Sequence, residues 1–440
     1  MKSSTFIFLV LLVVLVAGGF FYFRDTSGPQ ISMAPASGPI SGKHPLDLKL
    51  ADSPSGMKTL EVSASQKGKT VVLLTKSYPP ATPTAEESIP LAKAGFQDGP
   101  LTIRVDATDH SIYHFGKGNT TEQVFTFDYD TRPPAISVLS TAHNLSHGGS
   151  ALVVYTISEK VGKTGVTVGD LFFPGYHQRG DLYACLFAFP YSMKSGQFPI
   201  PKVIAVDGAG NEGIEGFYYH LIPKTFRHAR ISLSDQFLEA KEPEFQPKFP
   251  EIQDPLQLFL KVNRTLRDKD RKELHAIGLQ TSPVPLWHGA FLRQPDSATM
   301  ATFGDHRTYY YKGKAVDKET HLGMDLASVA HAPIRAANAG KVVYAASFGI
   351  YGRCVIIDHG MGLQTLYGHM NRMAVKKGDA VKKGQVIGYT GTTGLAGGDH
   401  LHFGVLVSGL PVNPVEWWDP NWVKNNILKK LALGKKVAAQ

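Results

Sequence analysis

Two short patterns in the last third of the chain hold residue types that can do chemistry. They are His321-Leu-Gly-Met-Asp325 and His400-Leu-His402. Side chains at i and i+2 of a strand share one face, so His400 and His402 point to the same side while Leu401 points into the core. With His321 and Asp325 they offer more nitrogen and oxygen donors than a catalytic zinc needs, since such an ion usually takes three protein ligands and keeps one position for water. Four candidates therefore imply three ligands and one acid/base group. A further segment, Leu366-Tyr-Gly-His369-Met370, ends a strand-like run in the same region. His369 is a fifth polar group, suited to hydrogen-bond the attacking water or a developing oxyanion. The chain has 17 histidines, and they cluster between His306 and His402.

Such a constellation needs a stiff framework, and the surrounding pattern is of β type. Gly340–Ala346, Arg353–Asp358, Leu363–Tyr367, Gln385–Tyr389 and His402–Val407 are strand candidates. The whole chain has 440 residues, 43% of them hydrophobic and 19% charged, which predicts a globular protein of about two to four domains. Two cysteines exclude a disulfide scaffold and any all-cysteine metal site. A net charge of +9 is compatible with an anionic polymer or membrane surface and gives no sign of nucleic-acid binding.

The fold expected is mainly β. Residues 1–24 read as a transmembrane signal-anchor, because the apolar run Thr5–Phe23 would rise about 28 Å as a helix and continues past Ala17-Gly18-Gly19, the site at which a signal peptide would be cleaved. Residues 25–46, rich in Gly, Pro and Ser, read as a linker. Short apolar runs broken by turns, such as Thr70–Thr75, Leu101–Asp106 and Ala151–Ile157, follow, and the run Arg104–Asp109 has a counterpart in Ala205–Asn211. They are read as two immunoglobulin-like β-sandwiches, 47–132 and 133–224. Helical spacing in Ser234–Ala240 and Pro255–Leu274 marks a helical connector, 225–300, before the β block 301–418. Residues 419–440 form a lysine-rich tail.

The block 301–418 resembles the M23 family of zinc metallopeptidases, the LytM or lysostaphin type. The order H-x-x-x-D, strand-end histidine, H-x-H is present as HLGMD, LYGHM and HLHFG, accompanied by Ala332-Pro-Ile-Arg-Ala336, Val355–Gly360, Val375–Gly394 and Val412-Asn-Pro414. The resemblance implies a small antiparallel β domain with its site in a groove. It implies one Zn2+ bound by His321, Asp325 and His402, and His369 and His400 as the catalytic pair that remains off the metal. It implies a peptidoglycan endopeptidase that cuts peptide cross-links with a zinc-activated water. A non-catalytic regulator that activates cell-wall amidases is the alternative, and such proteins usually show substitutions in these motifs. The partners expected are peptidoglycan, the membrane through the N-terminal helix, and an envelope protein at the immunoglobulin-like modules. The place expected is the inner membrane, single-pass, with the bulk of the chain in the periplasm.

Overall fold

The computed structural model describes residues 3–53, 55–92, 94–193 and 199–433. The chain divides into two compact units, one of residues up to 134 with 160–162 and 206–213, the other of 135–159, 163–205 and the chain from 214 onward.

The first unit begins with the helix Ser3–Tyr22. Its side chains from Phe6 to Val16 are exposed and apolar. Among the described residues no helix is long and apolar enough to cross a membrane. The expected transmembrane span 1–24 is therefore not found among the described residues. A five-stranded sheet follows, in the order Gly38–Ile40, Thr120–Tyr129, Gly99–Asp109, Met57–Gln66, Lys69–Ser77, with a three-stranded sheet of Gln30–Ala34, Leu46–Ala51 and Thr84–Ile89. Strict alternation explains both. Leu46, Leu48 and Leu50 are buried while Asp47 and Lys49 are exposed, and Leu60, Val62 and Ala64 do the same opposite Ala107, Val105 and Ile103. The inward residues of the two sheets form one core. The expected linker 25–46 thus carries two strands, because Met33 and Ile40 reach that core although Gly and Pro surround them. The expectation of two immunoglobulin-like modules reduces to this β architecture and to the sheets that open the second unit.

In the second unit, a sheet of Tyr176–Arg179, Leu182–Ala188, Ser150–Ile157 and Ile136–Val138 comes first. Part of the chain between 225 and 300 is helical. Ser234 caps the helix Asp235–Phe245 and Asp254 caps Pro255–Lys261, each accepting a backbone N–H with its side chain. The chain continues helically through Arg267–Gly278. Phe245, Leu258, Val262, Leu266 and Ile277 share a core with Phe348, Ile350, Ile356, Leu366 and Leu406, so the connector packs against the following β block. That block is an antiparallel sheet running Ala298–Ala301, Met324–Ala327, Leu401–Val407, Leu363–Met373, Arg353–Gly360, Gly340–Ser347, Ala380–Val381. The basic tail is packed as far as it is described: Val423 and Ile427 are buried, and Lys430 donates to the Leu152 carbonyl at 3.1 Å. Residues 434–440 of the expected tail lie outside the described residues.

His359 is a structural member of this sheet. It is fully buried between the Ala339 carbonyl and the Thr365 hydroxyl, each at 2.7 Å. Burial lowers its pKa to about 4, and the hydrogen bond to Ala339 opposes this only in part. The folded value lies below the unfolded one of roughly 6.5, so the unfolded chain takes the proton first. Its contribution is complete above pH 6.5 and drains away as pH falls toward 4. Between pH 7.5 and 4.5 the loss is about 2.5 kcal/mol. All four tryptophans (287, 417, 418 and 422) lie in the second unit, so urea unfolding followed by their fluorescence reads this unit. The wild type should lose about that much more stability over this pH interval than His359→Gln.

Candidate active site

Strand register brings the motif residues together. Asp325, on Met324–Ala327, lies directly opposite His402 on Leu401–Val407. On its other side, Leu363–Met373 pairs Gly368 with His402 and carries His369 one residue further on. His321 follows the strand Lys314–Thr320, and its backbone N–H is held by the Asp305 carbonyl. His400 stands just before its strand, bridged to Gly391. A Cβ on Gly323 would lie 2.5 Å from His402 Nε2, so the small residue inside HLGMD is what lets that imidazole in.

Three donor atoms converge. His321 Nε2 is 3.0 Å from Asp325 Oδ1 and 3.1 Å from His402 Nδ1, and His402 Nδ1 is 2.9 Å from Asp325 Oδ1. All three residues are buried. The His321 Nδ1 atom faces the Thr302 carbonyl at 2.9 Å. A carbonyl only accepts, so the proton of neutral His321 sits on Nδ1 and a lone pair remains on Nε2. Nε2 and the carboxylate oxygen are then two acceptors in contact, an arrangement that needs a proton or a cation between them. Ligands at about 2.0–2.1 Å from a tetrahedral ion stand roughly 3.3 Å apart, close to the spacings here. The set fits a divalent metal.

Arg307 completes the carboxylate's surroundings. Its Nη2 donates to Asp325 Oδ2 at 2.8 Å and leaves Oδ1 to face the histidines. Burial alone would push the Asp325 carboxyl up, but the electrostatic pull of His321 and the close approach of His321, His400 and His402 outweigh it and hold the group well below the usual carboxylate range.

His369 and His400 flank this centre without joining the trio. Their ring centroids are 4.9 Å apart, and His369 lies 5.7 Å from His402. His369 Nδ1 donates to the Thr393 carbonyl and His400 Nδ1 to the Gly398 carbonyl, each at 2.8 Å. Both rings consequently hold a lone pair on Nε2. His400 Nε2 is 3.5 Å from Asp325 Oδ1. Burial, then the proximity of His400 and His402, keeps His369 neutral by lowering its pKa well below the ordinary histidine value. His369 also sits at φ +61°, a left-handed conformation that costs a non-glycine residue about 1–2 kcal/mol and is held here by its own hydrogen bond.

The five residues line a cleft of about 430 Å3, walled by Leu233, Phe237, Phe259 and Leu395. Three of these walls come from the chain between 228 and 261. Arg307 lies outside the three motifs, and nothing in the local sequence marks it as the partner of Asp325. The carbonyls of Thr302 and Thr393, which orient two imidazoles, leave no sequence signal because any residue supplies one. His331 is turned to Asp399 and Asn371 instead of the cleft.

Residues 319–414 match the profile of peptidase family M23. The chain is 40% identical over 95 residues to the DD-carboxypeptidase/endopeptidase Mpg of Neisseria meningitidis serogroup B, covering 22% of each protein. It is 37% identical over 120 residues to the peptidoglycan DD-endopeptidase ShyA of Vibrio cholerae serotype O1, covering 27% of this chain and 26% of that one. The solved catalytic domain of lysostaphin from Staphylococcus simulans aligns at 26% identity with a TM-score of 0.25, over 28% of this chain and 92% of the other. The chain spans about a quarter of the length of the curated relatives it matches. With His321, Asp325, His369, His400 and His402 all inside the matched segment, the C-terminal domain of this chain belongs to peptidase family M23.

Proposed function

We propose that the protein is a zinc-dependent endopeptidase that hydrolyses peptide cross-links of bacterial peptidoglycan. The observation that carries this reading is the convergence of His321 Nε2, Asp325 Oδ1 and His402 Nδ1 within about one ligand-to-ligand spacing of each other. The family match and the relatives named as DD-endopeptidases point to the bond class. Two imidazoles and one carboxylate suit zinc better than calcium or magnesium, which prefer all-oxygen sites. Zinc held by these three residues supplies Lewis acidity and makes hydroxide accessible near neutral pH.

The rest of the work falls to the chain. His369 and His400 each face the cleft with Nδ1–H tied to a carbonyl and Nε2 free to take a proton. Either ring accepts the proton of the attacking water. A ring protonated at Nε2 becomes a donor to the oxyanion that forms as the peptide carbonyl turns tetrahedral, and then returns its proton to the leaving amine. Arg307 keeps the Asp325 carboxylate from rotating. The apolar walls seat the stem peptide and limit water. The substrate puts the working site outside the cytoplasm, in the periplasm, with the β units before residue 225 as an arm toward the wall or an envelope partner. The intact five-residue set weighs against a non-catalytic regulator.

The test is digestion of purified sacculi and defined cross-linked muropeptides by the purified chain, with products identified by mass spectrometry. Cleavage between stem peptides that a chelator abolishes is expected. Products cut between glycan and stem peptide, or activity indifferent to the chelator, would refute the assignment.

A further inference from the structure

The first unit buries a second group of acidic residues, far in sequence from the peptidase motifs. Asp25, Asp52 and Asp109 are only 5%, 6% and 0% exposed, and each offers a carboxylate oxygen within 4.8 Å of one from the other two. Among the described residues no lysine, arginine or histidine forms an ion pair with any of them. Only Asp109 is well supplied with donors, taking the backbone N–H groups of Ser111 and Asn119 and the Asn119 amide. Asp52 receives the Ser55 hydroxyl. Asp25 accepts the Ser55 N–H on Oδ2, while its Oδ1 is buried and has no hydrogen-bond partner among the described residues. An unpaired buried carboxylate oxygen facing two more carboxylates is costly twice over, through lost hydration and through like-charge repulsion at short range.

A divalent cation removes both costs at once. We propose that Asp25, Asp52 and Asp109 form a cation site selective for Ca2+. The donors are oxygens throughout, which excludes the softer metals. Buried side chains and irregular loops leave little room for the several waters and strict octahedral geometry that Mg2+ retains, whereas Ca2+ accepts many oxygens in flexible arrangements. Asp52 also lines a surface hollow of about 290 Å3 beside Ser53 and Pro83, which provides an entrance. Asp25 joins the end of the apolar N-terminal helix to this site, and Ser111 and Asn119 tie its backbone carbonyl to the loop after Gly99–Asp109. A bound ion would therefore fix the start of the β unit to the strand ends at residues 52 and 109.

The experiment uses the full chain in detergent, freed of metal and then titrated with CaCl2 up to about 10 mM, the range of weak extracellular sites. Binding is read by equilibrium dialysis with radioactive calcium, and unfolding by calorimetry. One Ca2+ per chain is expected, with affinity at least tenfold weaker in Asp25→Asn and in Asp52→Asn. Neither substitution touches the histidine-lined site. The order of stability should also invert. In chelator, Asp25→Asn should melt above the wild type, because one of three repelling charges is gone. In saturating Ca2+ the wild type should melt higher by about 5 °C. Absence of saturable binding by 10 mM, equal binding in both variants, or Mg2+ binding as tightly as Ca2+ would overturn the proposal. If Asp25→Asn fails to fold, the same inversion is read from Asp52→Asn.

Discussion

His402→Ala should reduce cross-link cleavage by at least a thousandfold and lower zinc content far below one ion per chain. The loss corresponds to roughly 4 kcal/mol of transition-state stabilisation. His402 stands at the centre of the register: it faces Asp325 across one strand pair and Gly368 across the other. Two donors would remain, one fewer than catalytic zinc sites ordinarily use. The variant also leaves a gap against the Tyr351 ring, which lies 5.3 Å from the imidazole. For that reason activity alone is insufficient. Metal stoichiometry by elemental analysis should fall together with rate, while circular dichroism and the unfolding midpoint of the zinc-free forms stay close to those of the zinc-free wild type. Asp325→Asn should behave similarly, with the added effect that Arg307 loses its charge partner. A His402→Ala protein that still carries one tightly held zinc and cuts cross-links at the wild-type rate would remove His402 from the metal.

The five polar residues of this centre could be read from the sequence because their spacing has a geometric meaning. H-x-H is a strand-face signature, and a strand-end histidine is visible as Leu-Tyr-Gly-His. What brings them together is register, which a local pattern does not encode. That Asp325 falls opposite His402 depends on the pairing of strands some 77 residues apart. Arg307 illustrates the same limit. Its position just before the first motif was apparent, but its contact with Asp325 Oδ2 arises from the packing of a separate three-stranded sheet, in which His228–Leu233 runs parallel to His306–Tyr311. The Gly, Pro and Ser content of residues 25–46 suggests a linker, yet Met33 and Ile40 find apolar partners only in the folded unit. The lysine-rich tail misleads in a related way. Its charges are conspicuous, whereas Val423 and Ile427, which pin it down, are few. Asp25, Asp52 and Asp109 look like ordinary surface acids until the sheets close around them.

His369→Ala and His400→Ala should each retain zinc near one ion per chain and still lose a hundred- to ten-thousandfold in kcat, about 3–5 kcal/mol. Their separation from the trio makes this contrast decisive. Neither is among the three converging donors, and each ring is held by a carbonyl on the side away from the cleft. Removing one ring therefore subtracts a proton acceptor and an oxyanion donor without subtracting a ligand. Because both rings act on the same transition state, the double variant should lose less than the sum of the two single losses. His369→Ala carries a second consequence: alanine at φ +61° keeps the left-handed backbone cost but lacks the bond to Thr393 that offsets it. The strand end should loosen, so His369→Gln, which can still reach that carbonyl, serves as the control for backbone order. Recovery of structure without recovery of rate in His369→Gln would locate the loss in proton transfer. Loss of zinc in either alanine variant, or a rate within about threefold of wild type, would dismantle the division between ligands and catalytic pair. A shallower fall in His400→Ala than in His369→Ala would identify His369, the more deeply buried imidazole and the one that desolvation keeps neutral, as the principal base.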